Sequence, residues 1–385
     1  MTSPRWAEAR KLLCVRLDTI GDVLMSGPAV RALAAGRRVT LLTSPVGALA
    51  AELMPEIDET IVYRAPWMKA APASAGADLE LVERLRERRF DGAVIFTVYS
   101  QSPLPAALVC RLAGIPLSLA HCRENPYALL SDWVREPEPE RVVRHEVRRQ
   151  LDLVAAIGAR VADERLRIAI PAPARERVGR ILAEHGLGDA RNWILVHPGA
   201  SASSRRYPAT LLAEACRALV REHGVRLVFS GEAADHALVE EIRAGVEEVR
   251  AGVEEARAGA DEVRAGGASP ALSLAGALGL AELAALVAAA PVLVAGNTGP
   301  VHLAAATGTP VVDLYALTNP QHTPWQVPSV VLYHDVPCRW CYRSVCPEGH
   351  HRCLAGVAPE RVVAAALRLL RGGEAERWTE AVALG

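Results

Sequence analysis

The chain of 385 residues has no run of 18 or more apolar residues, so nothing in it reads as a membrane span. Its first residues, MTSPRWAEARKLLCVRL, lack the apolar segment and small-residue cleavage site of a secretory signal, and a cytoplasmic protein is expected. Net charge is missing as well. With 43 basic and 44 acidic residues the formal charge is −1, so no global field draws in nucleic acid or an anionic surface. Any anionic partner must be met by local groups. Cysteine is sparse: 8 in this length make no disulfide framework, and a reducing compartment favours free thiols or metal ligands. Neither a P-loop nor a G-x-G-x-x-G fingerprint occurs, which argues against a nucleoside triphosphatase or a standard dehydrogenase.

What is present is an alternation of short apolar runs with longer amphipathic stretches. The runs are Leu12 to Leu17, VTLLT (39–43), GAVIFTV (92–98), WILVHPG (193–199), VRLVFSG (225–231), APVLVAGN (290–297) and TPVVDLYA (309–316). Separated by helix-like pieces such as LELVERLRERR, they indicate βαβ units with parallel sheets, an α/β protein. Between about 125 and 190 the strand series pauses. There REPEPERVVRHEVRRQLDLVAAIG is charged and helical, and a connector follows, which places a domain boundary near Pro171 to Arg191. Two Rossmann-like halves with a cleft between them are expected.

In RLDTIGDVLMSGPAVRAL (16–33), a Gly-Asp pair stands between the first strand and a helix. Asp22 falls at the carboxyl end of a strand, where open α/β sheets bind ligands, though as an N-cap it would do no more than start the helix. In the second half, GNTGPVHLAAATG joins a strand to a small-residue helix. Backbone N–H groups and the positive helix end meet there, as in a phosphate site, with Thr298 adding a hydroxyl and His302 an imidazole. HPGASASSRRYP (197–208) offers Ser201, Ser203, Arg205 and Arg206 as donors, and SGEAADHA (230–237) places acids where ribose hydroxyls could be bound. Three such turns in one half suggest a nucleotide-diphosphate pocket.

Two segments stand apart. Residues 243–267, RAGVEEVRAGVEEARAGADEVRAGG, repeat with period seven. Val246, Val249, Val253, Ala256, Ala260 and Val263 form a thin coiled-coil stripe, and one glycine per repeat weakens the helix by roughly 1 kcal/mol each. A surface insertion fits better than a partner-binding coiled coil. Near the C-terminus, Cys338, Cys341, Cys346 and Cys353 lie within sixteen residues, close to His350 and His351. Four thiols can surround one structural zinc ion, although the spacing is not paired CxxC and reduced, metal-free cysteines are the alternative.

Together, RLDTIGDVLMSGPAVRAL, VHPGAS…RRYP, GNTGPVHLAAATGTPVVDLY and CRWCYRSVCPEGHHRCLAGVAPERV resemble the heptosyltransferase family, glycosyltransferase family 9, in order and spacing. The resemblance implies a GT-B fold: an acceptor-binding Rossmann-like domain (1–175) facing a nucleotide-sugar-binding one (190–365, carrying the 243–267 insertion), and a helical tail (366–385). It implies an inverting transfer of heptose from an ADP-sugar donor to a glycan or glycolipid acceptor such as the lipopolysaccharide inner core. No cofactor is needed for the chemistry, and contact with the inner membrane would be peripheral, at its cytoplasmic face. The resemblance makes Asp22 the general base, a weak one that accepts its proton late. It gives the leaving ADP to Ser201, Arg205, Thr298, Gly299 and His302, the ribose to Asp235, and the acceptor to Arg64, Lys69 and Arg123. Asn297 departs from the family pattern, which often has an acid there, and this leaves the donor sugar open. Another nucleotide-sugar, a small natural-product acceptor, or a non-catalytic sugar-nucleotide-binding protein are the competing readings.

Overall fold

Strands of a parallel sheet covered on both faces are apolar along their whole length, because neither face meets water. In the computed structural model, which describes residues 4–69, 74–257, 270–316 and 320–373, the backbone alone over 247–257, the predicted runs form such strands. The first sheet holds β1 (Lys11–Arg16), β2 (Arg38–Thr43), β3 (Glu59–Val62), β4 (Gly92–Ile95), β5 (Leu117–Cys122) and β6 (Asp132–Arg135). The second holds β7 (Trp193–His197), β8 (Arg226–Phe229), β9 (Ala271–Ser273), β10 (Leu293–Gly296), β11 (Val311–Leu314) and β12 (Ser329–Leu332). Every residue of β4, β7 and β10 is buried.

The spatial orders are β3-β2-β1-β4-β5-β6 and β12-β11-β10-β7-β8-β9, with all pairs parallel. Counted within its own unit, each sheet has the doubly wound order 3-2-1-4-5-6. Both therefore reverse direction beside their first strand, between β1 and β4 in one and between β7 and β10 in the other. The chain divides into two compact units at Ala169 and Ile170, so the helix Ala172–Glu184 belongs to the second. This two-unit α/β architecture is the GT-B class.

Each unit has its own apolar core. Leu13, Val15, Ile61, Leu85, Phe90 and Ile95 meet in the first; Ile194, Val196, Leu227, Phe229, Val312 and Leu314 meet in the second. The helix Ala209–His223 shows how one face is selected: Leu212, Ala215, Cys216 and Leu219 are buried at helical spacing, and Gly224 at φ +63° ends it in the left-handed conformation.

Two expectations are changed. The segment 125–190 contains a strand, β6; its charged stretch forms the expected helix, Glu146–Ala155, but with Glu146, Arg149 and Gln150 buried. The heptad repeat begins inside the helix His236–Arg257, and its first stripe residue, Val246, packs into the second core with Val239 and Ile242. The repeat is thus anchored at its start; the side chains of its later stripe positions, and residues 258–267, lie outside the described residues, as does most of the 366–385 tail.

Candidate active site

Every site residue expected from the sequence, apart from the cysteines, follows the carboxyl end of a strand. Asp22 follows β1, Arg64 and Lys69 follow β3, Arg123 follows β5, Ser201 and Arg205 follow β7, Asp235 follows β8, and Asn297 to His302 follow β10. The turns after β1 and β4, and those after β7 and β10, flank the two switch points, where doubly wound sheets hold ligands.

In the first unit the N-cap of the helix Ile20–Met25 is Thr19, and Asp22 is its third residue rather than its cap. Asp22 Oδ2 accepts from Thr19 N (3.1 Å) and Thr19 Oγ1 (2.7 Å), the reciprocal half of a capping box. Its Oδ1 accepts from Arg16 Nη2 at 2.9 Å. Arg16 is fully buried at the end of β1. Its guanidinium also pairs with Asp18 Oδ2 (3.0 Å) and Glu146 Oε1 (2.9 Å), the latter brought by the helix Glu146–Ala155. Burial opposes the guanidinium charge, yet three carboxylates hold Arg16 protonated and raise its pKa further.

One cation facing three acids leaves the cluster short of positive charge. The outcome appears at Asp18: burial pushes its carboxyl up to about 6 against the pull of Arg16, while Gln101 Nε2 donates to its Oδ1 at 2.6 Å. Gln101 lies beyond β4, so this bond spans the switch point. A second buried network braces the same sheet end. Arg149 pairs with Glu136 and Glu138, Arg144 pairs with Glu138 (2.9 Å) and Asp152 (2.9 Å), and Arg149 donates to the Thr97 carbonyl after β4. Arg64 and Lys69 are exposed. Arg123, also exposed, donates to the carbonyls of Tyr99 (3.3 Å) and Glu138.

In the second unit, small residues bring three turns together. A Cβ on Gly199 would lie 2.2 Å from Asp235 Oδ2, so only glycine lets that carboxylate fold against the β7 turn. Asp235 Oδ2 also accepts from Glu232 N at 3.0 Å. A Cβ on Gly296 would lie 2.6 Å from the Arg205 carbonyl, which seats the β7 turn on the end of β10. His197, buried and bonded to Ser230 Oγ at 3.0 Å, is pushed down to about 4 by burial and is a neutral imidazole at pH 7.

Thr298 is the N-cap of the helix Gly299–Thr307, and its hydroxyl donates to the Gly296 carbonyl at 3.2 Å. Pro300 supplies no N–H and Val301 N is bonded to the Thr298 carbonyl, so the helix start offers fewer backbone donors than the sequence suggests. His302 is buried one turn further on. Asn297 Nδ2 donates to Asp313 Oδ2 (3.1 Å) and to the His322 carbonyl (2.8 Å). Ser201 is exposed.

Cys338, Cys341, Cys346 and Cys353, with His350 and His351, line one cavity of about 20 Å³, and Cys338 Sγ is 3.6 Å from His350 Nε2. Among the described residues, however, no three His, Cys, Asp or Glu side chains are grouped so as to hold a metal ion. The cysteine loop is tied to the β7 turn. Ser204 Oγ donates to the Arg343 carbonyl (2.6 Å), Ser204 N to the Ser344 carbonyl (3.2 Å), and His351 Nε2 is 2.9 Å from the Ser204 carbonyl.

Arg16, Asp18, Glu146, His197 and Asp313 are the polar groups of these sites that sequence reasoning passed over. Arg16 and Asp18 stand within the RLDTIGD motif itself, where a charged pair closing a buried strand is a readable signal.

Against known proteins, a sequence model described as "Glycosyltransferase family 9 (heptosyltransferase)" matches residues 79–351. The chain is 27% identical over 372 residues to lipopolysaccharide heptosyltransferase 2 of Escherichia coli K12, covering 92% of this chain and 96% of that one. The structure of E. coli ADP-heptose lps heptosyltransferase II superposes with a TM-score of 0.69 at 25% identity, covering 94% and 99% of the two chains. A family 9 glycosyl transferase from Veillonella parvula gives a TM-score of 0.72 at 20% identity, with 94% and 98% covered, a likeness of fold. Among the described residues no helix is long and apolar enough to cross a membrane.

Proposed function

The chain belongs to glycosyltransferase family 9, the heptosyltransferases, and is a glycosyltransferase; from that premise we propose that it transfers heptose from ADP-heptose to a hydroxyl of the lipopolysaccharide inner core, with inversion. The E. coli relative is named a lipopolysaccharide heptosyltransferase and is similar over nearly the whole of both chains. The observation that carries the chemistry is the setting of Asp22. A carboxyl group at a switch point, steadied by Arg16 and Thr19, is a fixed proton acceptor.

On this reading the acceptor hydroxyl attacks the anomeric carbon while its proton passes to Asp22. The new C–O bond forms as the bond from that carbon to the diphosphate breaks, and ADP leaves with the electron pair. The second unit stabilises the leaving charge. Arg205, Thr298, Gly299 and His302 serve the diphosphate, with Ser201 at its edge and Asp235 near the ribose. Arg64, Lys69 and Arg123 serve an anionic acceptor. An acceptor of this kind is a glycolipid, so contact with the membrane is peripheral. The test is turnover of ADP-heptose on inner-core acceptor, together with thermal shifts by ADP, UDP, GDP and dTDP. Ligand at 100 times its dissociation constant adds about 2.7 kcal/mol of stability. ADP should give the largest shift; a larger one with another diphosphate overturns the donor assignment.

The family's chemistry needs no cofactor. For the cysteine cavity we propose one structural zinc held by Cys338, Cys341, Cys346 and Cys353. Their shared cavity and soft donor atoms support this, and rotation of the thiols toward a common point is required. Four protein ligands would leave no position for substrate. Protein purified without chelator should contain about one zinc per chain, lost in any single Cys→Ser variant; metal-free protein with four freely titrating thiols rejects the site.

A further inference from the structure

Stability alone gives no reason for Asp313. It is fully buried in β11, flanked by Val312 and Leu314 of the apolar core, and burial pushes its carboxyl up to about 8 against the pull of Asn297 and Arg205. A carboxyl in such a place costs stability unless it is fully bonded, and an apolar side chain of similar size would fill the space at no such cost. Asp313 is not fully bonded: its Oδ1 is buried without a hydrogen-bond partner, and so is Arg205 Nε. Unmet polar atoms are rare in native interiors, and these two belong to groups near enough to attract each other's charge.

The parallel register explains where Asp313 acts. Its Cα pairs with Ala295, so its side chain lies beside the strand end that leads into the turn 297–299. Oδ2 accepts one amide hydrogen of Asn297 at 3.1 Å, and the His322 carbonyl accepts from the same nitrogen at 2.8 Å. With Nδ2 committed to two acceptors, the amide's orientation is set. Asn297 is itself buried, and the polar atom these two bonds leave uncommitted is its carbonyl oxygen, Oδ1. An oxygen acceptor repels phosphate oxygens and receives hydroxyl hydrogens, so it is suited to a polyol rather than to the diphosphate.

We infer that Asp313 is a positioning residue of the donor site: by holding the Asn297 amide, it presents Asn297 Oδ1 as the acceptor for a hydroxyl of the sugar joined to the nucleotide. This rests on the second unit being the donor site. It extends that reading by separating two kinds of recognition at one turn, N–H donors at Gly299 for the diphosphate and one oriented acceptor for the sugar.

The test compares Asp313→Leu with Asp313→Asn, measuring KM for ADP-heptose, kcat, ADP affinity and Tm. Asparagine keeps a carbonyl oxygen that can accept from Asn297 Nδ2; leucine does not. With one oriented hydrogen bond lost, Asp313→Leu should raise KM for ADP-heptose about tenfold while ADP affinity stays unchanged and Tm is unchanged or higher. Asp313→Asn should recover most of the KM. Asn297→Ala, which removes Oδ1 itself, should reproduce the KM rise with ADP affinity retained. An Asp313→Leu enzyme of unchanged KM, or one whose Tm and ADP affinity fall as KM rises, overturns the proposal, as does an Asn297→Ala enzyme of normal KM. Failure of the unsubstituted protein to bind ADP or ADP-heptose would instead reject the donor site on which the proposal stands.

Discussion

The two sheets share one strand order, yet the ends of their first strands are built from different materials. After β1 the chain sets a buried guanidinium among three carboxylates and braces the neighbouring strands with a second ion network. At the ends of β7 and β10 it sets glycines, hydroxyls, a neutral histidine and an amide, with Arg205 as a cation beside them. On the proposed reading Asp22 takes a proton and has to be kept charged and aimed, which a counter-charge and hydrogen-bond donors together do. A cradle for a diphosphate meets a ligand that brings its own charge, so it needs close backbone approach and N–H donors. Topology is common to both units; electrostatics divides their work.

The sharpest way to break the comparison is to remove the counter-charge. Arg16→Met takes away the cation that Asp18, Asp22 and Glu146 share, and breaking a buried ion pair costs about 3–5 kcal/mol. Urea denaturation should show a loss of that order. A loss below about 1 kcal/mol, the worth of an exposed pair, would mean the cluster is not held by charge. Next in size is Asp22→Asn, which keeps an oxygen for the Thr19 donors but cannot take the proton. Turnover should fall by roughly 10² or more with ADP affinity unchanged. Near-normal turnover would remove Asp22 as the base.

How much of this was legible depended on the chemistry of each segment. Seven of the strands stand out as apolar runs because both faces of a parallel sheet are covered. β6 does not: its residues DWVR alternate between half-buried and exposed. β9 is only three residues long, and β5 hides Ser118 and His121 among its buried positions. The turns of the candidate site were readable because glycine, proline and hydroxyl residues mark strand ends. Its supporting charges were not. Glu146 and Arg149 sit in a stretch whose charge density reads as a solvated face, and only the sheet it packs against makes that face an interior. Asp313 was concealed within an apolar run, and its link to Asn297 depends on strand register, which sequence spacing does not reveal.

A smaller effect is expected on the second unit's side of the comparison. Thr298→Ala and His302→Ala each remove a polar group proposed to meet the diphosphate, so each should weaken ADP by about 0.5–1.5 kcal/mol, roughly two- to tenfold. Adenosine, which lacks that charge, should bind as before. Calorimetric titration with both ligands checks this, and equal losses for the two would place the diphosphate elsewhere.

The smallest effect is a difference in how pH acts on the two ends. Asp18 and Asp313 both have folded pKa values raised by burial, to about 6 and about 8, above their ordinary value of 3.8. An acid raised in this way binds its proton more tightly folded than unfolded. Its contribution to stability is therefore fully present below the unfolded value and is lost as pH rises through the folded one. For Asp18 the loss is largely complete by neutrality, whereas for Asp313 it continues to about pH 8. Between roughly pH 7 and 8 Asp313 should still be losing stability while Asp18 has largely stopped, by at most about 1.4 kcal/mol per pH unit, or about 2–4 °C in Tm per kcal/mol for a domain of this size. Tm measured across that interval should fall less steeply in Asp313→Asn than in the unsubstituted protein, and equally steeply in Asp18→Asn. Below about pH 6, Asp18→Asn should flatten the curve as well. If Asp313→Asn leaves the neutral-range slope untouched, the buried carboxyl is already ionised there, and the second unit holds a fixed negative charge beside its donor turn.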